Sequence, residues 1–137
     1  MQPLGIVVAE LLDRLEDHDL PIGVKAPIQR GSAGGFVEII DDPDEPRDDL
    51  LMVRMRIMRY PDPPSVAFDK RLLALNHALA GRAAFSTGDD GLVYLTAARP
   101  MEDLDPGELL DLIIWTADKA DDLDDELLDE FGREWEL

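Results

Sequence analysis

Between Leu50 and Tyr60 the side chains sort by strict alternation. Leu51, Val53, Met55 and Ile57 fall on one side of an extended chain, and Leu50, Met52, Arg54, Arg56, Met58 and Tyr60 fall on the other. An extended segment of this length with one wholly apolar face is stable only inside a sheet whose apolar side is covered. The chain must therefore supply further strands and a layer that covers their apolar side. The second face is unusual, because apolar ends enclose two arginines. With Arg59, three arginines lie within six residues of a chain whose formal net charge is −18.

The partners of this strand can be read on both sides of it. Residues 23–30 (GVKAPIQR) read as a strand that Pro27 confines to a sheet edge or a bulge, GSAGG (31–35) as a turn, and FVEII (36–40) as a second strand. The stretch DDPDEPRDD (41–49), with six acids around Arg47, has the composition of a loop. After 50–60, RAAFSTGDDGLVYLTAA (82–98) reads as a hairpin with its turn at Asp90-Gly91. That makes five strands.

Three helices supply the cover. Leu4, Val8, Leu11 and Leu15 form one helical stripe near the start of the chain. Phe68, Leu72, Leu75 and Leu79 form a second, entered through Ser65 as N-cap and left near Gly81. Asp105, Pro106 and Glu108 mark the start of a third with an acidic cap, proline at the first helical position and a capping-box acid. Its stripe runs Leu109, Ile113, Ala117, Ala120, Leu123, Leu127 and Phe131 to a stop at Gly132. The first half is apolar enough to lie deep in the core, and the second half should present an anionic exposed face. The order helix, three strands, helix, two strands, helix predicts an α+β fold, an antiparallel sheet with helices packed on it, in one domain over residues 1–137.

The charge narrows the function. From Glu102 to Leu137 there are 15 acids against Lys119 and Arg133, a net of −13, so the acidity belongs mainly to the C-terminal segment. Nucleic acid and anionic membrane surfaces are bound by neutralising phosphates, which a chain of this charge does poorly, so neither is expected as a direct partner. Salt adaptation or solubility tuning is an alternative cause of the acidity, but it leaves the clustered arginines unexplained. The N-terminal stretch has no basic region or small-residue cleavage site, and no apolar run is long enough to span a bilayer; a soluble cytoplasmic protein is expected.

Catalytic and metal chemistry is poorly supported. Without cysteine there are no disulfides, thiolate zinc sites or cysteine nucleophiles. His18 and His77 lie in different elements and match no catalytic or zinc-binding spacing. RGSAGGF lacks the Lys-Ser/Thr pair of a phosphate loop and leads into a strand. Neither DDPDEPRDD nor STGDDG has EF-hand spacing. Trp115 and Trp135 read as packing residues. No enzyme activity, cofactor or metal is therefore expected.

Residues 72–132 also resemble the YbjN-like family and the related type III secretion chaperones. The matching positions are Leu72, Leu73 and Asn76, the hairpin at 83–98, and then Met101, Leu104, Glu108 and Leu109. The resemblance implies a secretion chaperone-like two-layer fold and a small acidic homodimer that binds a partner protein through exposed apolar patches, without enzymatic activity. Met52, Arg54, Arg56, Met58 and Tyr60 are the candidate surface for that partner or for a second copy, because methionine adapts to varied apolar groups and arginine pairs with carboxylates. Asp121, Asp122, Asp125 and Asp129 are the candidate acidic face for a basic partner, such as a nucleic-acid-binding protein. A regulatory or stress-response dimer, and a ligand- or calcium-binding domain, are the competing readings.

Overall fold

The structure is a computed structural model and describes residues 25–40, 49–101 and 105–137. The helix expected from Leu4 to Leu15, His18 and nearly all of the 41–49 loop lie outside the described residues.

Strands β1 (Lys25–Arg30), β2 (Ala33–Ile40), β3 (Leu50–Arg59), β4 (Ala84–Thr87) and β5 (Leu92–Pro100) form one antiparallel sheet in the order β1-β2-β3-β5-β4. Helices α1 (Val66–Leu79) and α2 (Pro106–Phe131) pack on it, and a 3-10 turn follows at Arg133–Trp135. The α+β reading therefore holds for the described elements. The alternating strand takes the centre of the sheet, with Leu51, Val53 and Met55 fully buried. Pro27, which has no N–H to donate, sits in edge strand β1, whose second side needs no ladder bonds.

The glycine-rich segment behaves differently from the expected turn. Only Gly31 and Ser32 turn, and Ala33, Gly34 and Gly35 already belong to β2. Glycine is needed at 35 because a Cβ there would lie 2.2 Å from the Arg54 carbonyl oxygen of the neighbouring strand. This is close backbone approach inside a sheet, a glycine use that composition does not separate from a turn.

The helix ends follow local chemistry. Ser65 Oγ accepts from the Phe68 N–H at 3.2 Å, and Asp105 Oδ1 accepts from the Glu108 N–H at 2.8 Å with Pro106 opening α2. α1 closes where expected, with Ala80 as C-cap in the left-handed region (φ 54°) and Gly81 after it, also at positive φ (84°). Phe68 sits edge-on between Tyr60 at 5.5 Å and Phe131 at 5.0 Å, which joins the end of β3, α1 and the end of α2. Each such pair contributes about 0.5–1.5 kcal/mol beyond simple area burial. One face of α2 is buried along its whole length: Leu123, Leu127 and Leu128 are core residues, so its acidic second half packs on the core as well while Asp122, Asp125 and Asp129 stay exposed.

The alternation of β3 breaks once. Arg56 pairs with Tyr94, but Met58 pairs with Val93, because a bulge leaves Ile57 as an extra residue. The bulge turns Met58 onto the core face, where it is 0% exposed. Tyr60 likewise packs against the core, and its hydroxyl donates to Asp69 of α1. Met58 and Tyr60 therefore do not share a face with Met52, Arg54 and Arg56, as simple period-two counting had placed them.

Candidate protein-binding surface

The two helices occupy one side of the sheet, and the register defines the opposite side. One row across it runs Pro27, Phe36, Arg54, Thr96 and Ala84, and the next runs Gln29, Gly34, Arg56, Tyr94 and Ser86. Met52 lies one row further on, between Glu38 and Ala98. No described helix packs on this side.

Its apolar floor is shielded by cationic side chains. Phe36 and Tyr94 are only 5% and 9% exposed, yet neither belongs to the main core cluster. Lys25 Nζ stands 4.4 Å from the centroid of the Phe36 ring, and the Arg56 guanidinium approaches the same ring to 5.6 Å. Gly34, opposite Arg56, presents no side chain to obstruct that lean. The Arg54 guanidinium lies 5.8 Å from the Tyr94 ring. Both cations cover aromatic faces with their flat heads and stems, as arginine does on half-buried surfaces.

Elsewhere among the described residues three arginines pair with acids, while Arg59 and Arg99 donate to backbone carbonyls and Arg82 meets a ring. Arg30 pairs with Asp118 at 2.7 Å, Arg71 with Glu130 and Glu126 at 3.0 and 3.3 Å, and Arg133 with Asp129 and Asp125 at 2.5 and 3.2 Å. Among the described residues, Arg54 and Arg56 form no such ion pair. Arg54 Nη2 reaches only the Met52 sulfur, at 2.8 Å, which is a weak acceptor, and its Nε is buried without an acceptor. Across the ladder, Thr96 Oγ1 is also buried and unpartnered. Asp90 is held at the border by the Tyr94 hydroxyl, which, with the Leu92 N–H, lowers the Asp90 pKa; Arg56 adds a smaller pull. Burial, followed by the bond to Asp90, raises the Tyr94 pKa, so this phenol stays protonated.

The four acids expected to face a partner are not equivalent. Asp121 Oδ1 accepts from the Ser32 N–H at 3.0 Å and from its hydroxyl at 2.8 Å, which fastens the β1–β2 turn to α2. Asp125 and Asp129 converge on Arg133. Asp122 is exposed. The adjacent Asp124 is only 6% exposed; burial, followed in effect by neighbouring Asp125 and Asp121 against a lowering bond from Ser32, raises its pKa to about 6. The acids thus serve first to anchor other elements, and the remaining anionic surface lies between these anchors.

Sequence reasoning missed Phe36, Lys25, Tyr94 and Thr96 as part of the arginine-bearing side. Alternation within FVEII separates Phe36 from Val37, but which strands lie side by side is a tertiary fact. It also missed the solvent side of α1, where Val66 and Leu73 are 71% and 67% exposed. The signal was present: Leu73 falls outside the stripe of Phe68, Leu72, Leu75 and Leu79. Elsewhere, Arg82 lies 3.9 Å from the Trp115 ring beside a shallow cleft of about 280 Å³ that Arg99, Glu108 and Asp111 also line. Among the described residues no group of three or more His, Asp or Glu side chains is placed to hold a metal, and no helix is long and apolar enough to cross a membrane. His77 is exposed on α1.

No protein-family model matches the chain, and no curated protein sequence matches it. Among solved structures, a chain of the HopA1-SchA chaperone-effector complex is similar, at 15% identity over 88% of this chain and 99% of that one, with a TM-score of 0.42. It is a loose likeness in the path of the chain.

Proposed function

We propose that this chain is a non-enzymatic, chaperone-like protein-binding module, a single domain that works in the cytoplasm as a homodimer and holds a partner protein. The observation that carries this reading is the outer side of the sheet, where Arg54 and Arg56 lie over an aromatic floor and Met52 lies beside Arg54, with no helix of the described chain upon them. An antiparallel sheet ordinarily turns small polar groups to water on its free side. Here that side carries guanidinium groups without an ion-pair partner among the described residues and a methionine, which suit contact with another polypeptide.

Charge separates the two surfaces of such a dimer. A two-fold contact centred on the arginine rows would set Arg54 and Arg56 against their own copies, and like charges directly opposed are unfavourable. The solvent side of α1 suits self-association better: Val66, Ala67, Leu73, Ala74 and Ala78 are exposed there with Lys70 and His77 as the polar residues. The outer sheet then remains for the partner. Asp122 and the other carboxylates of α2 favour a partner with a basic region, a nucleic-acid-binding protein being one such class, while the chain itself contacts no nucleic acid.

Light scattering tests the dimer: the mass should be twice the 15.3 kDa of one chain, and Leu73→Glu should halve it. A wild-type protein of single-chain mass would end the homodimer reading. Affinity capture tests the partner surface, since a protein retained by the wild type should be released by Arg54→Glu with Arg56→Glu while the dimer mass persists. Equal retention by that variant would remove the outer sheet from the function.

A further inference from the structure

Resting on the reading of the outer sheet as a contact surface, we infer that this surface recognises an extended acidic segment of a partner protein, with carboxylates at every second residue, through Arg54, Arg56 and Thr96. Three observations converge on it. First, Arg54 and Arg56 are without an ion-pair partner among the described residues, although the chain has 31 acidic residues to 13 basic ones and the ion pairs among those described residues use Arg30, Arg71 and Arg133. Second, Arg54 Nε and Thr96 Oγ1, neighbours across the β3–β5 ladder, are both buried without a hydrogen-bond partner. A desolvated donor on a cation is costly when unmet and gains most from an anionic acceptor.

The third observation is spacing. Arg54 and Arg56 are two residues apart on one strand and point to the same side, so their origins are separated by about 6.6 Å. An extended peptide places its own i and i+2 side chains at that interval and on one side. A segment of the form acid-x-acid laid along β3 therefore matches the spacing of the two side-chain origins, from which the Arg54 head leans toward Tyr94 on β5 and the Arg56 head toward Phe36 on β2, and Thr96 lies beside the first across the ladder. Lys25 adds positive potential over Phe36 without sharing this register. A second copy of this outer side would bring cations instead of acids. A phosphate polymer would have to approach a chain of net charge −18 with few cations to hold it.

Fluorescence anisotropy with three labelled decapeptides tests the inference on the intact protein. The first alternates glutamate and threonine, the second replaces every glutamate by glutamine, and the third keeps the glutamates but sets them as adjacent pairs that point to opposite sides. The alternating acidic peptide should bind at least tenfold more tightly than either control at low salt, and its affinity should fall as salt rises. Arg54→Gln with Arg56→Gln should abolish the difference while circular dichroism shows the variant still folded at the assay temperature, whereas Lys25→Gln should cost less than threefold. If the glutamine peptide binds as well as the acidic one, and the double variant releases both, the side is a contact surface without carboxylate recognition and the inference is overturned alone. If the double variant holds every peptide as the wild type does, or none binds at all, both the inference and the contact-surface reading fall.

Discussion

The hydroxyl of Ser32 stands 3.1 Å from a carboxylate oxygen of Asp124, in the second half of α2. The same hydroxyl is 2.8 Å from Asp121, yet it carries only one hydrogen. When it donates to Asp121, Asp124 completes the network by carrying a proton of its own, and its second oxygen, Oδ1, is buried without a partner.

Asp124→Asn should therefore stabilise the protein near neutral pH. The folded-state pKa of about 6 lies above the ordinary 3.8, so the contribution of Asp124 is fully present below pH 4 and is lost as pH rises through 6. At pH 7.5 the gain for the variant should be about 1–3 kcal/mol, and it should shrink toward zero at pH 4.5, where aspartic acid and asparagine both offer a donor. Urea unfolding of both proteins at the two pH values measures the difference. A gain that is constant with pH would refute the protonated network.

Asn76 joins α1 to edge strand β4 through both backbone groups of Phe85. Its Oδ1 accepts from the Phe85 N–H at 2.6 Å, and its Nδ2 donates to the Phe85 carbonyl at 3.4 Å. Asn76→Ala should cost about 1–3 kcal/mol, because a partly buried strand group loses its partner. Chemical unfolding gives the number, and amide exchange at Phe85 should accelerate with it.

Gly35→Ala should be among the most damaging of the small substitutions. The added methyl would meet the Arg54 carbonyl oxygen at 2.2 Å and the Met55 Cα at 2.8 Å, and backbone at the sheet centre cannot move aside cheaply. A loss of about 2–4 kcal/mol is expected, or failure to accumulate as folded protein. An alanine variant with the wild-type midpoint would contradict the β2–β3 register.

Thr96→Val should raise the stability of the isolated chain. The hydroxyl it removes is buried without a partner, and valine keeps the shape and the β-branched form that suits a strand. A gain of about 1 kcal/mol, or a few degrees in midpoint for a chain of this size, is expected by calorimetry. A destabilised valine variant would mean that the hydroxyl is satisfied in the folded protein.

Much of the fold was legible because its signals are local. Ser65 and Asp105 cap helices through bonds that close within three residues, Pro106 opens α2 with its fixed φ, and Leu51 to Arg56 alternate because a strand has period two. The candidate surface was legible only in part. Met52, Arg54 and Arg56 were found together, whereas the bulge at Ile57 took Met58 and Tyr60 to the other side. A bulge is chosen by the fit of two strands, and those strands are more than 30 residues apart.

The amino-acid sequence by itself determined the helix caps, the order of the described elements and the alternating apolar side of β3, since each follows from backbone geometry and near neighbours. Only the tertiary structure decided which arginines meet acids among the described residues. Arg30 meets Asp118 from 88 positions away, while Arg54 and Arg56 face outward from the sheet and meet rings in place of acids. It also decided that Asp124, one acid in a run that reads as a solvated face, is buried beneath Ser32. The physical reason is common to both: charge and burial are set by what lies across a packed interface, and chain distance carries no record of that partner.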